Sequence, residues 1–192
     1  MVDEARLSVQ DRDLLGRLNQ YFDTVQLRLK EGQGWLIFNS HRQRAARIAQ
    51  FIAERIAEYR PLLSYYFLPW RDFALDAYIT NVELAAIKGS GAPGNAHVQR
   101  EYRIADRVSQ DMRYHMLYCD LFVLAGIAPA NPHEALHLDS IVGQRHSRRL
   151  ASILITPRGP DELAHDLRSL DPSGALWERF FRRMYETSLI AL

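Results

Sequence analysis

"GWLIFNSHRQRAAR", residues 34–47, decides the fold. Its first part, "WLIF", is too short for a helix and carries no polar face, so it reads as a strand buried on both sides. Its second part opens a helical period. From Arg42 to Tyr59, Ala45, Ile48, Ala49, Ile52, Ala53 and Ile56 fall on one face. A buried strand that hands over to an amphipathic helix is half of a parallel-sheet crossover. Ligands in such sheets bind at the carboxyl ends of the strands, which is where the turn "NSHRQRAA", residues 39–46, must lie.

The same alternation runs along the rest of the chain. "LLSYYFLPW" (62–70), "CDLFVLAGI" (119–127), "ASILITP" (151–157) and "ETSLIAL" (186–192) read as further strands. Helical segments separate them: "RDFALDAYITNVELAAIK" (71–88), "NPHEALHLDSIVGQRHSRR" (131–149), "PDELAHDLRSL" (160–170) and "ALWERFFRRMY" (175–185). "HVQREYRIADRVSQDMRYHMLY" (97–118) is another, with Val98, Tyr102, Ala105, Val108 and Met112 expected on its inner face. Asn131 is placed to cap its helix, with Pro132 at the first helical position. Upstream, residues 8–32 read as one N-terminal helix, with Leu14, Leu15, Leu18, Phe22, Val25 and Leu29 inward and Gly32 and Gly34 as the stop. Ser8 followed by Asp11 resembles a capping box. "GSGAPGNA", residues 89–96, reads as a flexible stretch, either a long loop or an ordered turn between helices. The expectation is one domain over residues 1–192: an α/β three-layer sandwich with a mostly parallel sheet of about five strands.

Composition narrows the function classes. Apolar residues make up 47% and charged residues 24% of the 192, the balance of an ordinary globule with a full core. Net charge is +1, so no bulk pull toward nucleic acid or membrane exists, and any basic site must be local. The lone Cys119 excludes an internal disulfide framework and suits the cytoplasm. The charged start "MVDEARLSVQDRD" has no apolar signal region, and no apolar run approaches ~18 residues, so no membrane association is expected.

Three motifs carry chemistry in principle. "HEALH", residues 133–137, fits H-E-x-x-H, in which His133 and His137 would bind zinc and Glu134 would act as base of a small hydrolase. Its context is unusual: Pro132 precedes it, it opens a helix rather than lying inside one, and Asp139 stands where an apolar residue is normal. His146 and Glu162 are the nearest candidates for a third ligand. The plain alternative is a helix start on which Glu134 complements the dipole. "GSGAPG", residues 89–94, fits G-x-G-x-x-G but follows a helix, not a strand, so a loop is the default.

The third is the turn itself. Against G-x-x-x-x-G-K-S/T, residues 39–46 fit without a gap: Asn39 and Arg44 replace the glycines, Ala45 the lysine and Ala46 the hydroxyl residue. A phosphate cradle needs converging backbone N–H groups, a lysine and a magnesium-binding hydroxyl.

In order and spacing, residues from about Leu14 to Leu192 resemble the AAA+ P-loop ATPase domain of bacterial replicative-helicase loaders and of insertion-sequence transposition helper ATPases. In that family a helix precedes the phosphate-loop strand. A later strand ends in two magnesium-binding acids; "CDLFVLAG" looks like it, with Ala125 and Gly126 in their places. A helix then leads to an arginine and a strand ending in a polar sensor, the places of Arg145 and Thr156. The resemblance implies a P-loop-type fold that no longer hydrolyses ATP and needs no cofactor, because lysine, hydroxyl and both acids are absent together. It implies a binding or assembly protein of a DNA-handling complex, with a protein partner first, nucleic acid second, and self-association open. Two arginine groups are the partner-binding candidates: Arg42, Arg44 and Arg47 after the first strand, and Arg145, Arg148 and Arg149 before the fourth. The first group is expected to meet an anion, or else to be a solvated helix start.

Overall fold

The computed structural model describes residues 9–59, 62–83, 96–171 and 173–192; the side chains of residues 42, 96–99, 101 and 102 lie outside that description. Ser8, and the loop expected at 89–96 up to residue 95, also fall outside it.

Five strands form one sheet: β1 (Gly34–Ile37), β2 (Tyr65–Pro69), β3 (Leu121–Ala125), β4 (Ala151–Ile155) and β5 (Ser188–Ala191). Their order is β2-β3-β4-β1-β5, and every pairing is parallel. The register sets Ile37 beside Ile155 and Ala191, and Ala125 beside Ile155 and Pro69. The carboxyl ends of β1, β3 and β4 therefore stand side by side.

β1, β3 and β4 are buried almost throughout because both their faces are covered, while the edge strands β2 and β5 are partly exposed. On one face, Trp35, Ile37, Val123, Ile153 and Ile155 pack against α1 (Val9–Asp23), α2 (Val25–Lys30) and α3 (Arg42–Ala57) through Leu14, Leu18, Phe22, Val25, Ile48 and Ile52. On the other, Leu36, Phe122, Leu124 and Leu154 pack against α4 (Trp70–Tyr78), α5 (Ala96–Tyr118), α6 (Pro132–Ser147), α7 (Pro160–Leu170) and α8 (Ala175–Thr187). The result is a three-layer α/β sandwich. Among the described residues no helix is long and apolar enough to cross a membrane.

Some expectations need correction. The N-terminal helix is two helices, broken at Thr24, whose hydroxyl donates back to the Gln20 carbonyl at 3.1 Å and so competes with the helical ladder. α4 passes into a π-helical turn at Ile79–Glu83. On α5 the expected inner face holds in part: Ala105 and Met112 are half-buried, Met112 against the core, and the side chains of Val98 and Tyr102 lie outside the described residues. Val108 is 56% exposed, and Ser109 and Met116 are buried instead. α8 runs on to Thr187, so the last strand starts two residues later than the periodicity suggests.

Candidate functional site

The turn after β1 is closed by its own chain. Asn39 adopts the left-handed conformation (φ 55°), which asparagine tolerates better than most side chains. That kink lets the turn's amides bond inward: Phe38 N–H to the Ala191 carbonyl at 2.8 Å, Asn39 N–H to Arg158 at 3.0 Å, and Ser40 N–H to Thr156 at 2.9 Å. His41 N–H donates to the Asn39 carbonyl and Arg44 N–H to that of His41. These donors do not converge on an external anion.

Arg44 completes the closure. Its Nη1 donates to the carbonyls of Asn39 (3.0 Å) and Phe38 (3.3 Å), and its Nη2 to that of Leu192 (3.3 Å). Its Nε donates to Asp11 Oδ1 at 2.9 Å, while Arg47 Nη2 donates to Asp11 Oδ2 at 2.9 Å. So Arg44 and Arg47 are neither a bare solvated face nor an open anion site: α1 supplies their anion. The Arg42 side chain lies outside the described residues. Ala46 is exposed and Ala45 half-buried, and neither adds a polar group.

The neighbouring strand ends are equally self-contained. Gly126 (φ 87°) and Ile127 both donate their N–H to the Ile155 carbonyl at 2.9 Å, and Ala125 and Gly126 offer no carboxylate. Thr156 is fully buried; its hydroxyl donates to the Ile127 carbonyl at 2.7 Å and accepts from Arg158 N–H at 3.1 Å. It is a strut between β4 and the segment after β3.

The second arginine group divides. Arg145 is 1% exposed and cannot bind a partner, which corrects its assignment to a binding surface. Its guanidinium donates to the carbonyls of Ala151 (2.6 Å), Met116 (2.7 Å) and Cys119 (3.0 Å) and to Ser152 Oγ (3.0 Å). Burial pushes its pKa down from the usual arginine value. It staples α5, α6, β3 and β4 at the amino edge of the sheet, the opposite edge from Arg44. Arg148 and Arg149 are exposed, and Arg148 lies over the Tyr118 ring at 4.8 Å.

The H-E-x-x-H residues have other duties. Glu134 is buried and accepts from Ala130 N–H (2.8 Å) and Asn131 Nδ2 (2.9 Å), tying down the start of α6. Asn131 occupies the cap position, but its side chain bonds Glu134 rather than the helix backbone. His137 is 5% exposed. It lies against the Phe73 ring, with its Nε2 3.2 Å from Asp76 Oδ2; neither atom has a well-formed hydrogen bond among the described residues. His133 faces the Tyr78 ring at 5.9 Å. His146 pairs with Glu186, and Glu162 accepts from Gly159 N–H at the start of α7. Among the described residues no three His, Cys, Asp or Glu side chains converge as a metal site.

No protein-family model matches the chain, and no curated protein matches it.

Sequence reasoning missed Asp11, assigned above to a capping box, and Asp76. Both act across 33 or more residues of chain, a relation that periodicity does not carry. The conformation of Asn39 did have a signal: an asparagine where a strand must turn sharply.

Proposed function

We propose that this chain is a P-loop-like domain of AAA+ type that has given up nucleotide hydrolysis and serves as a binding or assembly protein. The observation that carries the reading is the filled turn: Arg44 lies on the carbonyls of Phe38 and Asn39, where a phosphate cradle would need free space and free amides. The strand order supports the architecture, because it sets the end of β4 between those of β1 and β3. A phosphate loop, a pair of metal-binding acids and a polar sensor would have to meet there. Ala125 and Gly126 leave that meeting point without a ligand for magnesium.

A role in assembly is supported by apolar side chains that the fold leaves in water. Ile104, Val108, Tyr114 and Tyr118 of α5 are each more than half exposed. A protein is the first partner and nucleic acid the second, as the resemblance to proteins of DNA-handling complexes implies.

Calorimetric titration with Mg-ATP, together with a phosphate-release assay, tests the reading. No heat and no release are expected. Micromolar affinity, or nucleotide carried through purification, would overturn it.

A further inference from the structure

Asp11 sits between two arginines as a small oxyanion would. Each carboxylate oxygen takes one guanidinium N–H at 2.9 Å, from Arg44 Nε and Arg47 Nη2. A carboxylate brings one negative charge to two positive ones; a phosphate dianion offers the same pair of oxygens and balances both.

The tether on this internal anion is short. The apolar anchors of α1 begin at Leu14 and continue through Leu18, Tyr21 and Phe22. Ahead of them Val9 is 75% exposed and Gln10, Arg12 and Asp13 are exposed, so Asp11 is the one buried residue of the first described turn. Arg44 would not swing away when Asp11 left. Its Nη1 stays on the carbonyls of Phe38 and Asn39, which holds Nε in its aim. The crevice beside the pair, about 10 Å³ and lined by Asp11, Leu15, Arg44, Arg47 and Ile48, is too small for a phosphate, which can enter only where Asp11 leaves.

We propose that Arg44 and Arg47 form a phosphate-binding site that Asp11 closes in cis, and that a phosphate group opens it by displacing the first turn of α1. The site lies between α1 and α3, on the side of Arg44 that faces away from the Phe38 and Asn39 carbonyls. It does not depend on Mg-ATP, so its failure would leave the reading above untouched.

Inorganic phosphate is the probe, titrated into the wild-type chain and into Asp11→Ala and Asp11→Asn, each checked for folding by circular dichroism. Both variants should bind phosphate at least about tenfold more tightly than wild type, the gain that even one of the two released charge-assisted hydrogen bonds implies. Adding Arg47→Ala to Asp11→Ala should abolish the gain. Acetate should bind more weakly than phosphate; equal binding overturns the assignment to phosphate. No gain in a folded Asp11 variant, or a gain that survives Arg47→Ala, overturns the site. If both variants fail to fold, hydrogen exchange on the wild type decides. Exchange in residues 9–13 should rise with phosphate while that of α3 does not, and an unchanged pattern refutes the proposal.

Discussion

Arg44 reaches back across its own turn to place Nη1 3.0 Å from the carbonyl oxygen of Asn39. In the proposed phosphate-loop alignment these residues take the places of the two glycines, and their contact leaves no open cradle in the turn. Restoring the consensus is therefore not enough. Arg44→Gly with Ala45→Lys and Ala46→Thr should give no phosphate release from Mg-ATP, because the end of β3 still lacks acids. Arg44→Ala alone should lower stability by about 2 kcal/mol, through the lost carbonyl bonds and the loss of one of Asp11's guanidinium partners. Denaturant unfolding measures the second, and turnover in the triple variant would refute the first.

Arg145 should behave as a structural residue. Replacing it with methionine keeps the bulk but strands the carbonyls of Ala151, Met116 and Cys119, at a cost of about 3 kcal/mol. Lysine should not rescue it, since one ammonium cannot span acceptors arranged for a planar fork. A shift in the unfolding midpoint without a change in slope is the expected result. Arg148→Ala should leave that midpoint within about 0.5 kcal/mol of wild type.

His137 and Asp76 form the buried link between α6 and α4. His137→Ala leaves a carboxylate buried without its neighbour and should destabilise the fold by about 3 kcal/mol. The pair His137→Ala, Asp76→Ala should cost less than the sum of the single changes, a coupling that a double-mutant cycle reads directly. His133→Ala should be nearly neutral. Tight zinc in the purified chain, released by changing either histidine, would instead put the hydrolase reading first.

What was legible in the chain follows from what each pattern encodes. The strands were legible because a parallel sheet buries both faces, so "WLIF" and "ASILI" carry no polar residue on any aqueous face. That Ala45, Ala46, Ala125 and Gly126 carry no amine, hydroxyl or carboxylate is plain from the side chains themselves. Arg44 and Arg145 were not. An arginine looks the same in sequence whether its guanidinium meets water or backbone carbonyls, and only packing decides. Val108 of α5 was misread for a related reason: it obeys the helical period but points to solvent.

Gly34 should tolerate no side chain. A Cβ there would lie 1.9 Å from the Ser152 carbonyl oxygen, inside the β1–β4 pairing at the centre of the sheet. The neighbour is backbone and cannot turn aside. Gly34→Ala should cost about 3 kcal/mol or more and lower the yield of soluble protein. Gly16, with nothing near its would-be Cβ and a helical backbone, is the control; Gly16→Ala should stabilise by about 0.5–1 kcal/mol.

Stability should fall on the alkaline side through two buried groups. Burial pushes the Cys119 thiol above its ordinary pKa, with the Arg145 guanidinium pulling part of the way back. Burial likewise raises the Tyr21 phenol, whose hydroxyl donates to the Gln33 carbonyl at 2.8 Å. Both hold their protons to higher pH in the folded chain than in the unfolded one. Their contributions are whole below the unfolded pKa values, about 8.5 for the thiol and 10 for the phenol, and shrink as pH rises through the folded ones. The unfolding midpoint should stay flat near neutrality and drop above about pH 9. Cys119→Ser should remove the lower part of that drop and Tyr21→Phe the upper part. Since the reactive species is the thiolate, native Cys119 should react with a thiol reagent no faster than the chain unfolds. Rapid labelling under native conditions at pH values where the midpoint is still flat would show that the thiol is not held in the core.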